Sequence, residues 1–168
     1  MSTIEFNNLI LKYTNPLLAF ARNLTKDHED ANDLLQETLL KAIRYKDKFR
    51  EGTNIKAWLF TIMKNTFIND YRRKRKQNTM FDSTANSYYI DSTDTTVFNG
   101  GETKCNMDAI QRAITDLPDD LRIPFVSYFN GFKYNEIADE LQLPLGTVKS
   151  RIFFARKELK SKLKAFKH

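Results

Sequence analysis

The run from residue 145 to 164 places groups able to contact a polyanion on one side of a helix. Val148, Ile152, Ala155, Leu159 and Leu163 recur at steps of four and three, so they share one apolar face. That geometry turns Ser150, Phe153, Phe154, Lys157 and Lys164 outward, with Arg151 and Arg156 on the flanks. Hydroxyl, aromatic and ammonium groups opposite an apolar stripe suit a helix that enters a major groove, where they meet base edges, methyl groups and phosphates. A solvated basic face on a surface hairpin would give the same pattern. A second strip follows Phe60, Lys64, Phe67 and Tyr71 at steps of four, three and four, and leads into Arg72-Arg73-Lys74-Arg75-Lys76. Stacking platforms beside cations are what an unpaired nucleic-acid strand requires. Helical aromatics that serve the core, ahead of a basic run that complements a helix C-terminus, would also produce it. The third cluster is acidic, with Asp27, Glu29, Asp30, Asp33 and Glu37 inside eleven residues. It either complements the dipole at a helix start or offers a docking face to a basic protein surface.

Enzyme chemistry finds little support. There is no phosphate-cradling glycine loop and no nucleophile-histidine set. The lone Cys105 excludes an internal disulfide and a multi-cysteine zinc site, and with only His28 and His168 no histidine-based metal site is expected. We therefore expect no catalytic residue, no metal and no cofactor. No apolar run approaches the roughly 20 residues of a membrane span, and MSTIEFNNLI lacks the charged and apolar regions of a signal peptide. The expectation is a soluble protein of reducing cytoplasm.

Helices must position these clusters. Only five Gly and four Pro occur in 168 residues, and no stretch sustains the alternation of a strand. Two helical pieces fill residues 3 to 24, Pro16 opening the second. His28 to Tyr45 makes an amphipathic helix with Ala31, Leu34, Leu35, Thr38, Ala42 and Ile43 as its core stripe. After a loop that turns at Gly52, a long helix runs from Ile55 to about Arg75 on Ile55, Leu59, Ile62, Met63 and Thr66. Residues 78 to 104 are rich in Ser, Thr, Asn and Asp without a period, which reads as a linker, extended or disordered when free. Met107, Ile110, Ile114 and Leu117 mark a further helix. Asp119 to Asn130 forms another, with Leu121, Phe125, Val126 and Phe129 inward, Pro124 in its first turn and Gly131 closing it. Ile137, Ala138 and Leu141 begin a helix-turn-helix in which Leu143 to Gly146 breaks the pattern and Thr147 caps the second helix. The fold class is all-α. Two small helical domains are expected, 1–77 and 105–168, joined by the linker 78–104. Their charges support this division: 15 Lys and Arg against 9 Asp and Glu in 1–77, 1 against 4 in 78–104, and 11 against 8 in 105–168. Two basic blocks with an acidic connector suit two contacts with one polyanion.

In order along the chain, DANDLLQETLLKA at 30–42, FREGTNIKAWLFTIMKNTFINDYRRKRK at 49–76 and LPDDLRIPFVSYFNGFKYNEIADELQLPLGTVKSRIFFARKEL at 117–159 resemble stretches of the extracytoplasmic-function sigma factors, initiation subunits of bacterial RNA polymerase. The last is the most specific, through Tyr134, Glu136-Ile137-Ala138 and Gly146-Thr147-Val148-Lys149-Ser150-Arg151. The resemblance implies a sigma region 2 domain and a region 4 domain. It implies that Asp33, Gln36 and Glu37 dock on the clamp helices of the largest polymerase subunit. It further implies that Phe49, Phe60, Ile62, Met63 and Asn65 capture a flipped minus-ten base, with Lys64, Phe67, Tyr71, Arg72 and Arg73 beside the melted strand. Tyr134, Asn135, Lys149, Ser150, Arg151 and Phe153 match positions that contact the minus-thirty-five duplex, joined by Phe154 and Lys157. Phe154 stands where similar proteins often have Arg, and Ser127 where a phosphate-binding Arg can occur. The implied partners are core RNA polymerase, promoter DNA as duplex and melted strand, and an anti-sigma factor. An autonomous helix-turn-helix regulator with an unrelated first domain is the alternative.

Overall fold

The computed structural model describes residues 2–78 and 104–164. The chain divides into two compact units, Met1–Ser83 and Thr84–His168. The expected linker falls on residues that are largely outside the described ones.

The first unit is built from α1 (Thr3–Leu11), α2 (Thr14–Thr25), α3 (His28–Arg44), a 3-10 turn (Lys46–Lys48) and α4 (Ile55–Asn78). A reciprocal cap starts α1: the Ser2 hydroxyl accepts from the Glu5 N–H at 3.2 Å and the Glu5 carboxylate accepts from the Ser2 N–H at 2.7 Å. Pro16 does lie in the first turn of α2, which ends at Lys26 in the left-handed region, φ 59°. Asp27 then caps α3, accepting from the Asp30 N–H at 2.9 Å. Ala31, Leu34, Leu35, Thr38 and Ala42 are buried on α3, and the Thr38 hydroxyl is satisfied by the Leu34 carbonyl at 2.7 Å. Ile43 is a correction to the expected stripe: it is 45 % exposed, because it lies about 100° around the helix from Ala42.

Helix α4 starts with the Asn54 side chain accepting from the Ala57 N–H at 3.1 Å. It packs on both α2 and α3, so its buried arc is wider than one stripe and takes in Phe60 and Ile68 along with Ile55, Leu59, Met63 and Thr66. Phe60 meets Phe20 of α2 with ring centroids 5.0 Å apart. Phe6 of α1, Phe49 and Trp58 form a second aromatic cluster at 5.3 to 6.2 Å.

The second unit comprises α5 (Lys104–Thr115), α6 (Asp119–Phe129), α7 (Tyr134–Glu140) and α8 (Leu145–Leu163). Its core joins Ala113 and Leu117 to Ala155 and Leu159, with Ile114, Leu121, Phe125 and Leu163 packed around them. The apolar face expected for α8 is the buried one. Ile110 of α5, however, is 38 % exposed. On α6, Leu121, Phe125 and Val126 face inward as expected, but Phe129 does not. Pro124, Val126 and Ser127 are buried while Phe129 is 61 % exposed. The Ser127 hydroxyl donates to the Ile123 carbonyl at 2.9 Å, which removes the cost of burying it. Pro124 is the sixth residue of α6, in its second turn rather than its first.

Gly131 at φ 105° closes α6, and Gln142 at φ 52° ends the turn after α7. The Leu143 N–H donates to the Ala138 carbonyl at 2.9 Å across that turn. Pro144, not Thr147, occupies the N-cap of α8. Its ring disfavours helical geometry at Leu143 and leaves the following residues free to enter the helix.

Candidate nucleic-acid and docking interfaces

On α8 the burial of Val148, Ile152, Ala155 and Leu159 fixes what faces solvent. Lys149, Ser150, Phe153, Phe154 and Lys157 are all exposed and Arg151 is half-buried on the flank. The Phe153 and Phe154 rings sit edge to face, centroids 5.6 Å apart at 73°. Asn135 of α7 is exposed. Tyr134 is half-buried because its ring stacks on Tyr128 at 4.9 Å and 12°. Over the same Tyr128 ring lies the Arg156 guanidinium, 4.9 Å from the centroid. Hydrogen bonds from Tyr134 and then Arg156 hold the Tyr128 phenol below its ordinary range. Tyr128 was missed in the sequence. An aromatic on either side of Gly131, with an Arg on the facing helix, was the available signal.

The residues expected around a captured base are not brought together. Met63 has no exposed surface and Phe60 is 7 % exposed, so both support the core instead of presenting a wall to a ligand. Asn65 is exposed, and helical geometry sets it about 140° around α4 from Phe60. Ile62, half-buried, is its neighbour on that side; Phe49 is half-buried in the aromatic cluster. Lys64, Phe67 and Tyr71 are half-buried along the other edge, and burial holds the Lys64 ammonium below its ordinary range; Arg72, also half-buried, lies seven residues after Asn65 and so on its side. Arg73 is exposed and pairs with Asp70 at 3.1 Å.

The acidic cluster separates by role. Asp27 is spent on the cap, and the hydrogen bond from the Asp30 N–H holds its carboxyl below the usual range. Asp30 reaches Lys74 of α4 at 3.9 Å. Glu37 pairs with Lys41 at 2.7 Å, and Lys41 also donates to Thr66 of α4 at 3.1 Å. Asp33 and Gln36 point outward. Between them and Arg44 stands Leu40, 68 % exposed, with Ile43 beside it. This apolar patch among carboxylates was not foreseen. The available signal was position: Leu40 falls four residues after Gln36, on the outward side of the helix and off the stripe of Ala31, Leu34, Leu35, Thr38 and Ala42.

Residues 9–77 match the family model for Sigma-70 region 2, and residues 107–159 match that for Sigma-70, region 4. The ECF RNA polymerase sigma factor EcfG of Rhodopseudomonas palustris is 35 % identical over 156 residues, covering 92 % of this chain and 82 % of its own. This chain belongs to the ECF RNA polymerase sigma factors. The RNA polymerase sigma-H factor of Pseudomonas aeruginosa is 31 % identical over 168 residues, covering 92 % of this sigma factor and 83 % of itself. Among solved structures, the sigma factor RpoE in complex with the anti-sigma factor NepR from Bartonella quintana shares 30 % identity, covers 95 % of this chain and 97 % of its own, and gives a TM-score of 0.49. As an ECF sigma factor, the protein binds core RNA polymerase and directs it to promoter DNA. Both halves of the chain belong to one family architecture, which sets aside the autonomous regulator with an unrelated first domain. No helix among the described residues is long and apolar enough to cross a membrane.

Proposed function

We propose a division of labour among three faces of this sigma factor. The outer side of α3, with Asp33, Gln36 and Leu40 and with Glu37 at its edge, docks on the polymerase clamp helices. The exposed side of α4 around Ile62 and Asn65 meets the melted minus-ten strand, Phe60 and Met63 acting beneath it as the floor that fixes the helix. Lys64, Phe67, Tyr71, Arg72 and Arg73 line the path of that strand. The outward face of α8, with Tyr134 and Asn135 of α7, reads the minus-thirty-five duplex. The chain works in the bacterial cytoplasm and carries no catalytic site, the nucleotide chemistry belonging to the polymerase.

The observation that carries this reading is the pair of outward faces that their own units leave uncovered. One is acidic and apolar, on α3; the other is basic and aromatic, on α8. An acidic face suits a basic protein surface, and a basic face suits phosphate. Run-off transcription by purified core polymerase, with and without this chain, tests it. Transcripts should start at chain-dependent promoters, and charge reversal at Asp33 together with Leu40→Ala should abolish them by releasing the polymerase. Retained polymerase binding by that variant overturns the docking assignment.

A further inference from the structure

The outward face of α8 carries a feature that phosphate attraction leaves unexplained. Phe153 is 62 % exposed and Phe154 50 %, in a unit that buries apolar side chains elsewhere on the same helix. The two rings touch edge to face, and they straddle the line joining Ser150 to Lys157, since residues seven apart nearly superpose on a helix. Exposed Lys149, Lys157 and Lys160 lie around them. A partner for this surface must therefore be anionic at its rim and apolar where the rings reach. An apolar protein helix lacks the first property. A DNA major groove has both: phosphates along its edges and, on its floor, the C5-methyl group of thymine as the apolar contact.

We propose that Phe153 and Phe154 form an aromatic fork that reads C5-methyl groups of pyrimidines in the major groove of the minus-thirty-five duplex. This deepens the assignment of α8 above and rests on it. The mutual ring contact restrains both side chains before binding, so less ordering remains to oppose the complex. Neither ring can donate a hydrogen bond. Against a G·C pair the fork would desolvate the guanine O6 and N7 acceptors and return nothing, so it discriminates by exclusion as well as by attraction. An Arg at position 154 would prefer those acceptors, and Phe in its place turns the preference toward methylated pyrimidine. Because the recognised group is the methyl, 5-methylcytosine should be bound better than cytosine at the same position, though below thymine because its guanine partner keeps the excluded acceptors.

The test begins with a promoter library randomised over the minus-thirty-five element and transcribed by reconstituted holoenzyme, which yields the preferred sequence. Each thymine of that element is then replaced singly by deoxyuridine, which removes the methyl and keeps the pairing. At the thymines under the fork, closed-complex affinity should fall about fourfold, the factor expected for one buried methyl. Phe153→Ala and Phe154→Ala, whose rings lie outside the core, should each erase the deoxyuridine effect at one position. Cytosine placed there should bind poorly, and 5-methylcytosine should restore part of the loss. The inference is overturned if the preferred element holds no T·A pair, or if deoxyuridine is tolerated throughout while Phe154→Ala still weakens promoter binding. In both cases α8 still faces DNA. If Phe153→Ala, Phe154→Ala and Lys157→Ala all leave promoter affinity intact, the assignment of α8 itself fails.

Discussion

Asn65 and Met63 stand two residues apart on α4, and burial gives them opposite consequences. Asn65 is exposed and carries both a donor and an acceptor, so its removal should spare the fold. We expect Asn65→Ala to keep polymerase binding while lowering open-complex formation about tenfold, the scale of one lost hydrogen bond. A template already unpaired across the minus-ten element should recover part of that loss, because the cost of extruding a base has been removed; permanganate footprinting on both templates checks it. Met63 has no exposed surface, and Met63→Ala should cost about 2 to 5 kcal/mol of stability, read as a lower denaturation midpoint and an even loss on every promoter. Asp27 and Asp33 divide in the same way. Asp27 holds its cap as a carboxylate below its ordinary range, so the stability it adds is complete at neutral pH and is lost as pH falls through that range and beyond. Asp27→Asn should flatten the pH dependence of thermal melting on the acid side. It should leave polymerase affinity unchanged, unlike Asp33→Lys.

At the scale of elements, the helices were legible because their apolar residues keep a helical period and because Pro and Gly punctuate them. What escaped the sequence has identifiable causes. On α6, Ser127 reads as polar and Pro124 as part of the helix start, so the inferred core took in Phe129 instead; the structure buries both and turns Phe129 out. On α4, contact with two neighbouring helices widened the buried arc until it took Phe60, which periodicity had placed at the edge. Ile43 looked like core because it continues the apolar run beside Ala42, although it lies about 100° around the helix from it. Residue matching to a family could place Phe60, Met63 and Asn65 in one site, but it carries no information about which of them is covered. The turn between α7 and α8 offers an independent check. Gln142 holds φ 52° without being glycine, a conformation that costs a residue with a Cβ about 1 kcal/mol or more. Gln142→Gly should therefore raise the melting temperature without altering promoter choice, whereas Gly131→Ala, at φ 105°, should lower it.

For the whole molecule, charge decides how binding responds to the medium. The two basic ends of the chain carry +6 and +3 against −3 in the connector, for a net charge of +6, and phosphate contacts made by exposed ammonium groups release counterions. Lys149→Ala and Lys157→Ala should each weaken promoter binding evenly across sequences and reduce the slope of log affinity against log salt by about 0.9. Titrations of holoenzyme on one promoter between low and moderate salt measure that slope.

The aromatic cluster near the start of the chain also dictates an order of events during synthesis. Phe6 is fully buried, and the rings that cover it belong to Phe49 and Trp58. A ribosome adds roughly 5 to 20 residues per second, so α1 waits about 3 to 10 seconds for Trp58 to be joined to the chain. Through that interval Phe6 lacks the rings that cover it, and a nascent-chain chaperone has its opportunity. Chains stalled before α4 is complete should remain open to protease at α1, and those extended past it should not. The first helix made is among the last to be sealed.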